Sequence, residues 1–161
     1  MKTSGPPLLH QHLCYKLYST SLRMTQLYKP LLAPLNLTYP QYLMMVVLWE
    51  EEGLGMKDLA ERLGQDNGSI TPLVKRLEAM GYLIRNRNPN DERNRIITLS
   101  RAGKDLRAQG LKVSNEIHRL SGIGADEAIQ LMSLLDQLNS NLAFSLSSSS
   151  DVDEPGATTD D

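Results

Sequence analysis

Along most of the chain, apolar residues recur every three or four positions, the period of a helix lying on a core. Leu9, Leu13 and Leu17 open a long, lightly charged stretch that predicts a helix over residues 8–32, with Pro34 ending it. The run TYPQ then matches a capping box, in which the Thr38 hydroxyl takes a first-turn N–H and Gln41 reaches back. It starts a very apolar helix over residues 40–52, broken by Gly53 and Gly55.

Two short amphipathic helices follow. MKDLAERLG puts Met56, Leu59, Ala60 and Leu63 on one face, and Gly64 closes it. After QDNGS, a second stripe of Ile70, Leu73, Val74, Leu77 and Met80 runs to Gly81, with Asp66 as its N-cap. Pro72 lies deeper than a first turn accommodates, so this helix is expected to start late or to kink. Two such helices around a tight turn form a helix-turn-helix.

The pattern then changes. YLIRNRNPNDERNRIITLS predicts two strands, at about 82–87 and 94–99, joined through Asn88, Pro89, Asn90 and Asp91. A hairpin directly after a helix-turn-helix is a wing. Ser100 caps a further helix to about residue 120, and GIGADE breaks the chain before a last helix. There Ala128, Leu131, Leu135, Leu138 and Leu142 alternate spacings of three and four, an a/d seam.

The predicted fold is mainly α with a small β-hairpin wing: a winged helix-turn-helix, paired into a homodimer through its N- and C-terminal helices. One wing module reaches only a few base pairs, and two-fold pairing doubles the contact. The expected organisation is a flexible N-terminus (1–7), dimerisation helices (8–34 and 101–145), a winged helix-turn-helix (35–100) and a disordered acidic tail (146–161).

Charge sharpens this picture. The formal net charge over 161 residues is -2, but Asp151, Asp153, Glu154, Asp160 and Asp161 lie in the Ser-rich tail. Without those five, 14 acidic residues face 17 basic ones, leaving the body at +3. Lys75, Arg76, Arg85, Arg87, Arg93 and Arg95 cluster against Glu78, Asp91 and Glu92, a local positive patch suited to a polyanion. With the apolar stripe of the second short helix turned inward, Gly68, Thr71, Pro72 and Lys75 face outward, flanked by Ser69 and Arg76. Lys75 can reach a phosphate or a guanine edge, and Arg87, Arg93 and Arg95 near the wing tip suit a narrow minor groove. Asp91 either holds an arginine by bidentate pairing or is an ordinary acidic turn residue.

The sole cysteine, Cys14, excludes an intrachain disulfide and fits a reducing cytosol. No apolar run resembles a signal peptide or reaches the roughly 18 residues of a membrane span. A soluble, cytoplasmic chain with no membrane partner is therefore expected. Cys14 reads either as an inert small hydrophobe or as a reactive thiol. Tyr18 lies one turn on, and Tyr28 is fourteen residues on and on roughly the same side. Tyr39 stands at a helix start that another chain segment could bring close. Phenolic O–H donors aimed at sulfur favour thiolate over thiol, and a thiolate attacks the O–O bond of a peroxide to give a sulfenic acid.

In order and spacing, LTYPQYLMMVVLWE, MKDLAERLG, DNGSITPLVKRLEAMGYLIR and NPNDERNRIITLSRAGKDL resemble the multiple antibiotic resistance regulator (MarR) family over residues 8–145. LCYKLYSTSLRMTQLYKPLL followed by LTYPQY is similar to its organic hydroperoxide resistance branch, single-cysteine type. The wing pattern D-x-R falls on Asp91 and Arg93. The resemblance implies a homodimer on a pseudo-palindromic double-stranded operator, with recognition helices in successive major grooves and wing arginines in the minor groove. It also implies that Cys14 senses organic hydroperoxides, that Tyr28 and Tyr39 bond to it, and that a repressor leaves its operator on oxidation; Tyr18, one turn from the thiol, is a further candidate from spacing alone. Some members carry a resolving cysteine in the partner subunit. This chain has none, so reversible trapping requires a small thiol or a sulfenamide.

Rival readings are a regulator answering a small amphipathic or phenolic ligand with Cys14 a bystander, and a thiol peroxidase. No acid–base constellation supports the enzyme, and the wing arginines argue against a pure interaction module. No cofactor is expected and no metal site: His10 and His12 stand at i, i+2 and His118 is distant. Trp49, in an apolar run, reads as core.

Overall fold

The computed structural model describes residues 8–150, and of residues 92, 93, 149 and 150 the backbone only. It falls into two compact units, divided after Ser121.

A 3-10 turn at Leu9–Gln11 precedes α1 (Leu13–Leu32), so the first helix starts later than its leucine period predicts. Ala33–Leu35 tightens into a second 3-10 turn, and Asn36 adopts φ 54°, the left-handed conformation that ends helices. α2 (Tyr39–Glu50) begins at the expected capping box, with the Thr38 N–H donating to Gln41 Oε1 at 2.9 Å. It stops two residues short of the expectation, before Gly53 at φ 82°.

α3 (Met56–Arg62) and α4 (Asn67–Ala79) form the helix-turn-helix. α4 starts immediately after Asp66, whose carboxylate accepts the Ser69 N–H at 2.8 Å, and the late start expected from Pro72 does not occur. A proline at this depth removes one i→i−4 bond, from the Gly68 carbonyl, and the cap holds the first turn without it. Ile70, Val74 and Leu77 are fully buried against Leu48, Leu59 and Ile97 in one core.

The wing is longer than predicted: β2 (Leu83–Asn88) and β3 (Asp91–Leu99) pair antiparallel, from Leu83 opposite Leu99 to Arg87 opposite Arg95. A third strand absent from the sequence reading, β1 (Leu54–Gly55), pairs with Ile97 and Ile96, giving the order β1-β3-β2. The single helix expected after Ser100 is two, α5 (Arg101–Asp105) and α6 (Arg107–Ser121), parted where Leu106 turns into the core.

In the second unit, α7 (Ala125–Ser150) runs five residues into the segment expected to be a disordered tail. Helical periodicity without a breaker carries it through the serines, whose hydroxyls bond back to preceding carbonyls, as Ser148 does to Phe144. The acidic residues 151–161 and the N-terminal segment 1–7 lie outside the described residues. On α7, Leu131, Leu135 and Leu142 of the seam are exposed, as are Phe144 and Leu146. Among the described residues no single helix is long and apolar enough to cross a membrane.

Candidate nucleic-acid interface and thiol site

The outward face of α4 presents Gly68, Ser69, Pro72, Lys75 and Arg76 to solvent. Thr71 is half-buried, and its hydroxyl donates to the Asn67 carbonyl at 2.8 Å, so it offers a partner only its methyl and its lone pairs. Asp66 caps the start of this helix. Its carboxyl is held below the usual carboxylate range, first by the Ser69 backbone N–H and then by the Ser69 hydroxyl.

On the wing, Arg87 and Arg95 are both exposed and directly opposed in register. Like charges facing each other across a strand pair are unfavourable unless a counter-charge lies over them. Arg85 is engaged differently: its Nε lies 2.9 Å from Glu78 Oε2, with the N–H off the oxygen, a charge contact that ties β2 to α4. Asp91 accepts from Asn94 Nδ2 at 2.6 Å, which orders the tip. The side chain of Arg93 lies outside the described residues.

Lys57 and Asn67, which sequence reasoning missed, join Asn94 and Arg95 around a polar cleft of about 440 Å³ between helix-turn-helix and wing. They sit in different segments, and only the register of β3 brings them together.

The thiol site is divided. Cys14 is the second residue of α1, exposed, in a first turn whose N–H groups lack intrahelical partners. Tyr15 and Tyr18 are exposed beside it. Tyr28 lies about 21 Å further along the same helix axis, so Cys14 and Tyr28 do not meet within one chain. Tyr28 packs instead on Tyr39, with ring centroids 4.5 Å apart, and on Tyr42 at 5.7 Å. Burial first, and then the neighbouring Tyr39 and Tyr42 phenols, push the Tyr28 hydroxyl up to about 12. Burial raises Tyr39 and Tyr42 as well. All three therefore remain O–H donors near neutral pH. Trp49 is half-buried against the core, as its sequence context implied. His10, His12 and His118 are exposed, and among the described residues no group of three or more His, Cys, Asp or Glu could hold a metal ion.

A family model described as Transcriptional regulator SarA/Rot matches residues 26–109. The chain is 42% identical over 127 residues to an organic hydroperoxide resistance transcriptional regulator of Bacillus subtilis, covering 79% of this chain and 86% of that one. The chain belongs to the MarR family of winged-helix regulators. Its fold superposes on reduced AbfR bound to DNA with a TM-score of 0.70 at 30% identity, covering 84% of this chain and 94% of that one. On wild-type MarR from E. coli in its apo form the TM-score is 0.66 at 25% identity, covering 79% and 96%. This MarR-family chain is thus a DNA-binding transcriptional regulator, and the relatives are regulators of transcription, not enzymes.

Proposed function

We propose that the protein is a homodimeric repressor that leaves its operator when an organic hydroperoxide oxidises Cys14. The observation that carries this reading is the division of the thiol site. Cys14 and Tyr28 lie on nearly one side of α1, within roughly 40° of each other, but about 21 Å apart. In a two-fold pairing of antiparallel α1 helices, residue i meets j and j meets i. An axis near Ser21, midway between them and small enough for close approach, sets Cys14 of each subunit beside Tyr28 of the other. The Tyr39 hydroxyl, packed on Tyr28, joins the same site, with Tyr18 at its rim. The exposed leucines of α1 and α7 supply the apolar dimer surface.

In this site, the first-turn N–H groups and the phenolic O–H groups supply hydrogen-bond donors around the sulfur. The thiolate attacks one peroxide oxygen: an S–O bond forms, the O–O bond breaks, and the alcohol leaves with a proton. Sulfur is oxidised by two electrons and the peroxide is reduced. A small thiol then condenses with the sulfenic acid, forming a disulfide and releasing water. The polar product disturbs the tyrosine contacts and moves the two reading modules off the spacing of a helical turn, about 34 Å. DNA is held by Gly68, Ser69, Thr71, Pro72, Lys75 and Arg76 of α4 and by Arg87, Asp91, Arg93 and Arg95 of the wing. The resemblance to the B. subtilis hydroperoxide regulator supports the same reading.

The test is operator release measured together with intact mass. Wild type treated with cumene hydroperoxide and a small thiol gains one adduct per chain and dissociates, while Cys14→Ser stays bound. Equal release of Cys14→Ser sinks the reading. It would favour a second one, in which a phenolic or amphipathic ligand enters the cleft of about 490 Å³ lined by Thr25, Lys29, Leu32, Leu37 and Tyr39.

A further inference from the structure

The tyrosine pair at the proposed sensing site is one end of a continuous aromatic row. Tyr39, Tyr42 and Trp49 lie along one stripe of α2 at spacings of three and seven. Tyr28 touches the first two, and Tyr42 meets Trp49 edge-on, with centroids 6.2 Å apart and an interplanar angle of 70°. At the far end the row grips two glycines. The Trp49 indole N–H donates to the Gly103 carbonyl at 2.9 Å, and the Tyr42 hydroxyl donates to the Gly110 carbonyl at 3.1 Å. The Trp49 ring lies so close over α6 that a Cβ on Gly110 would stand 2.3 Å from a ring carbon. There is no slack at this joint.

Gly103 passes the contact on. A Cβ there would stand 2.3 Å from the carbonyl oxygen of Tyr82, the residue immediately before β2. That same carbonyl accepts the N–H of Ser100, the residue immediately after β3, at 2.9 Å. The Ser100 hydroxyl accepts the Gly103 N–H at 3.0 Å and donates to the Gly81 carbonyl. Both wing strands are thus fastened at their base to the first turn of α5, which Trp49 holds from behind. Glu52, just past the end of α2, adds a parallel tie. It accepts the Leu99 N–H at 3.2 Å and pairs with Lys104 at 3.1 Å.

We infer that Trp49 is a positioning residue that couples the Tyr28–Tyr39 pair to the wing, by holding the Gly103 turn of α5 to which both wing strands are anchored. A close-packed interior has discrete arrangements, so displacement of one ring in the row requires the next to move. Trp49 contacts the Gly103 and Gly110 backbone and acts through it. This inference rests on the sensing role proposed for Cys14.

The test separates the two. Operator affinity is measured for reduced and for Cys14-oxidised protein, alongside the rate of Cys14 oxidation by intact mass, in wild type, Trp49→Phe and Tyr42→Phe. Trp49→Phe keeps a ring against Tyr42 but deletes the bond to Gly103, and Tyr42→Phe deletes one hydroxyl, so the fold survives in at least the second. The expected result is unchanged operator binding when reduced, an unchanged oxidation rate, and an oxidation-induced loss of affinity about tenfold smaller than in wild type. A purely structural role lowers thermal stability or reduced-state binding without changing that ratio. If both variants oxidise and lose affinity as wild type does, Trp49 does not couple the two ends. If wild type itself keeps its operator after full oxidation, the sensing role fails first and the coupling with it. As the only tryptophan in the chain, Trp49 also reports directly. Its emission is expected to change with the same rate constant as Cys14 oxidation, and emission unaltered through complete oxidation contradicts the inference.

Discussion

Cys14 and Tyr28 share one helix and nearly one side of it, yet about 21 Å of axis separates them. A donor that cannot reach its acceptor within a chain can reach it across a two-fold axis. On the proposed reading the peroxide site belongs to the dimer, and each subunit contributes Cys14 to one copy and Tyr28 to the other.

The fit between Trp49 and Gly110, and between Tyr82 and Gly103, gives a stability prediction in which two effects oppose each other. Alanine in a helix interior is favoured over glycine by roughly 1 kcal/mol. Against this, the new Cβ at position 103 would meet a backbone oxygen at 2.3 Å that cannot rotate away, and overpacking costs typically about 1–3 kcal/mol. The clash dominates: Gly103→Ala is expected to lower the urea midpoint, as is Gly110→Ala, where the obstacle is the indole ring. A raised midpoint in either variant refutes the close fit.

Arg87 and Arg95 give a prediction with opposite signs for stability and function. Arg95→Thr relieves the repulsion across the wing and is expected to raise the thermal stability of the free protein slightly. The same change weakens operator binding and lowers the slope of log affinity against log salt by about one. Lys75→Ala on α4 lowers the slope likewise. A salt slope unaltered in both variants removes α4 and the wing from the DNA interface.

Asp66 supplies a pH dependence. Its carboxyl is held below the ordinary value of 3.8 by the Ser69 N–H, so the cap favours the folded state at and above that value. The contribution is lost as pH falls through the lower, folded-state value. Asp66→Asn retains an N-cap acceptor that does not titrate. Wild type and Asp66→Asn should therefore protect the Ser69 amide equally near pH 7 and diverge only in acid. A carboxyl titration of Asp66 at or above 3.8 contradicts the bond.

The parts of this fold written in local chemistry were legible in the sequence. Thr38 with Gln41, Asp66 before a buried stripe, and the alternation around Asn88–Asp91 each fix an element within a few residues. β1 was not legible, because Leu54 and Gly55 become a strand only by pairing with Ile97 and Ile96, more than forty positions away. The division of the helix at Leu106 was not legible either, since no proline stands near it. For the site, the cysteine, the tyrosines and the wing arginines all stood out. The row from Tyr28 to Trp49 did not, since a glycine in a helix reads as a weak helix former until the ring above it is seen. Lys57 and Asn67 were missed for a related reason: each looks like an ordinary surface residue of its own helix.

The most direct measurement uses mixed dimers. One subunit carries Cys14→Ser and the other Tyr28→Phe, so the only remaining thiol sits in the subunit lacking the phenol and faces the subunit that retains it. Across a two-fold axis this dimer keeps one intact site, and its thiol is predicted to react with cumene hydroperoxide at the wild-type rate. A rate as slow as that of the Tyr28→Phe homodimer would contradict a site shared between subunits.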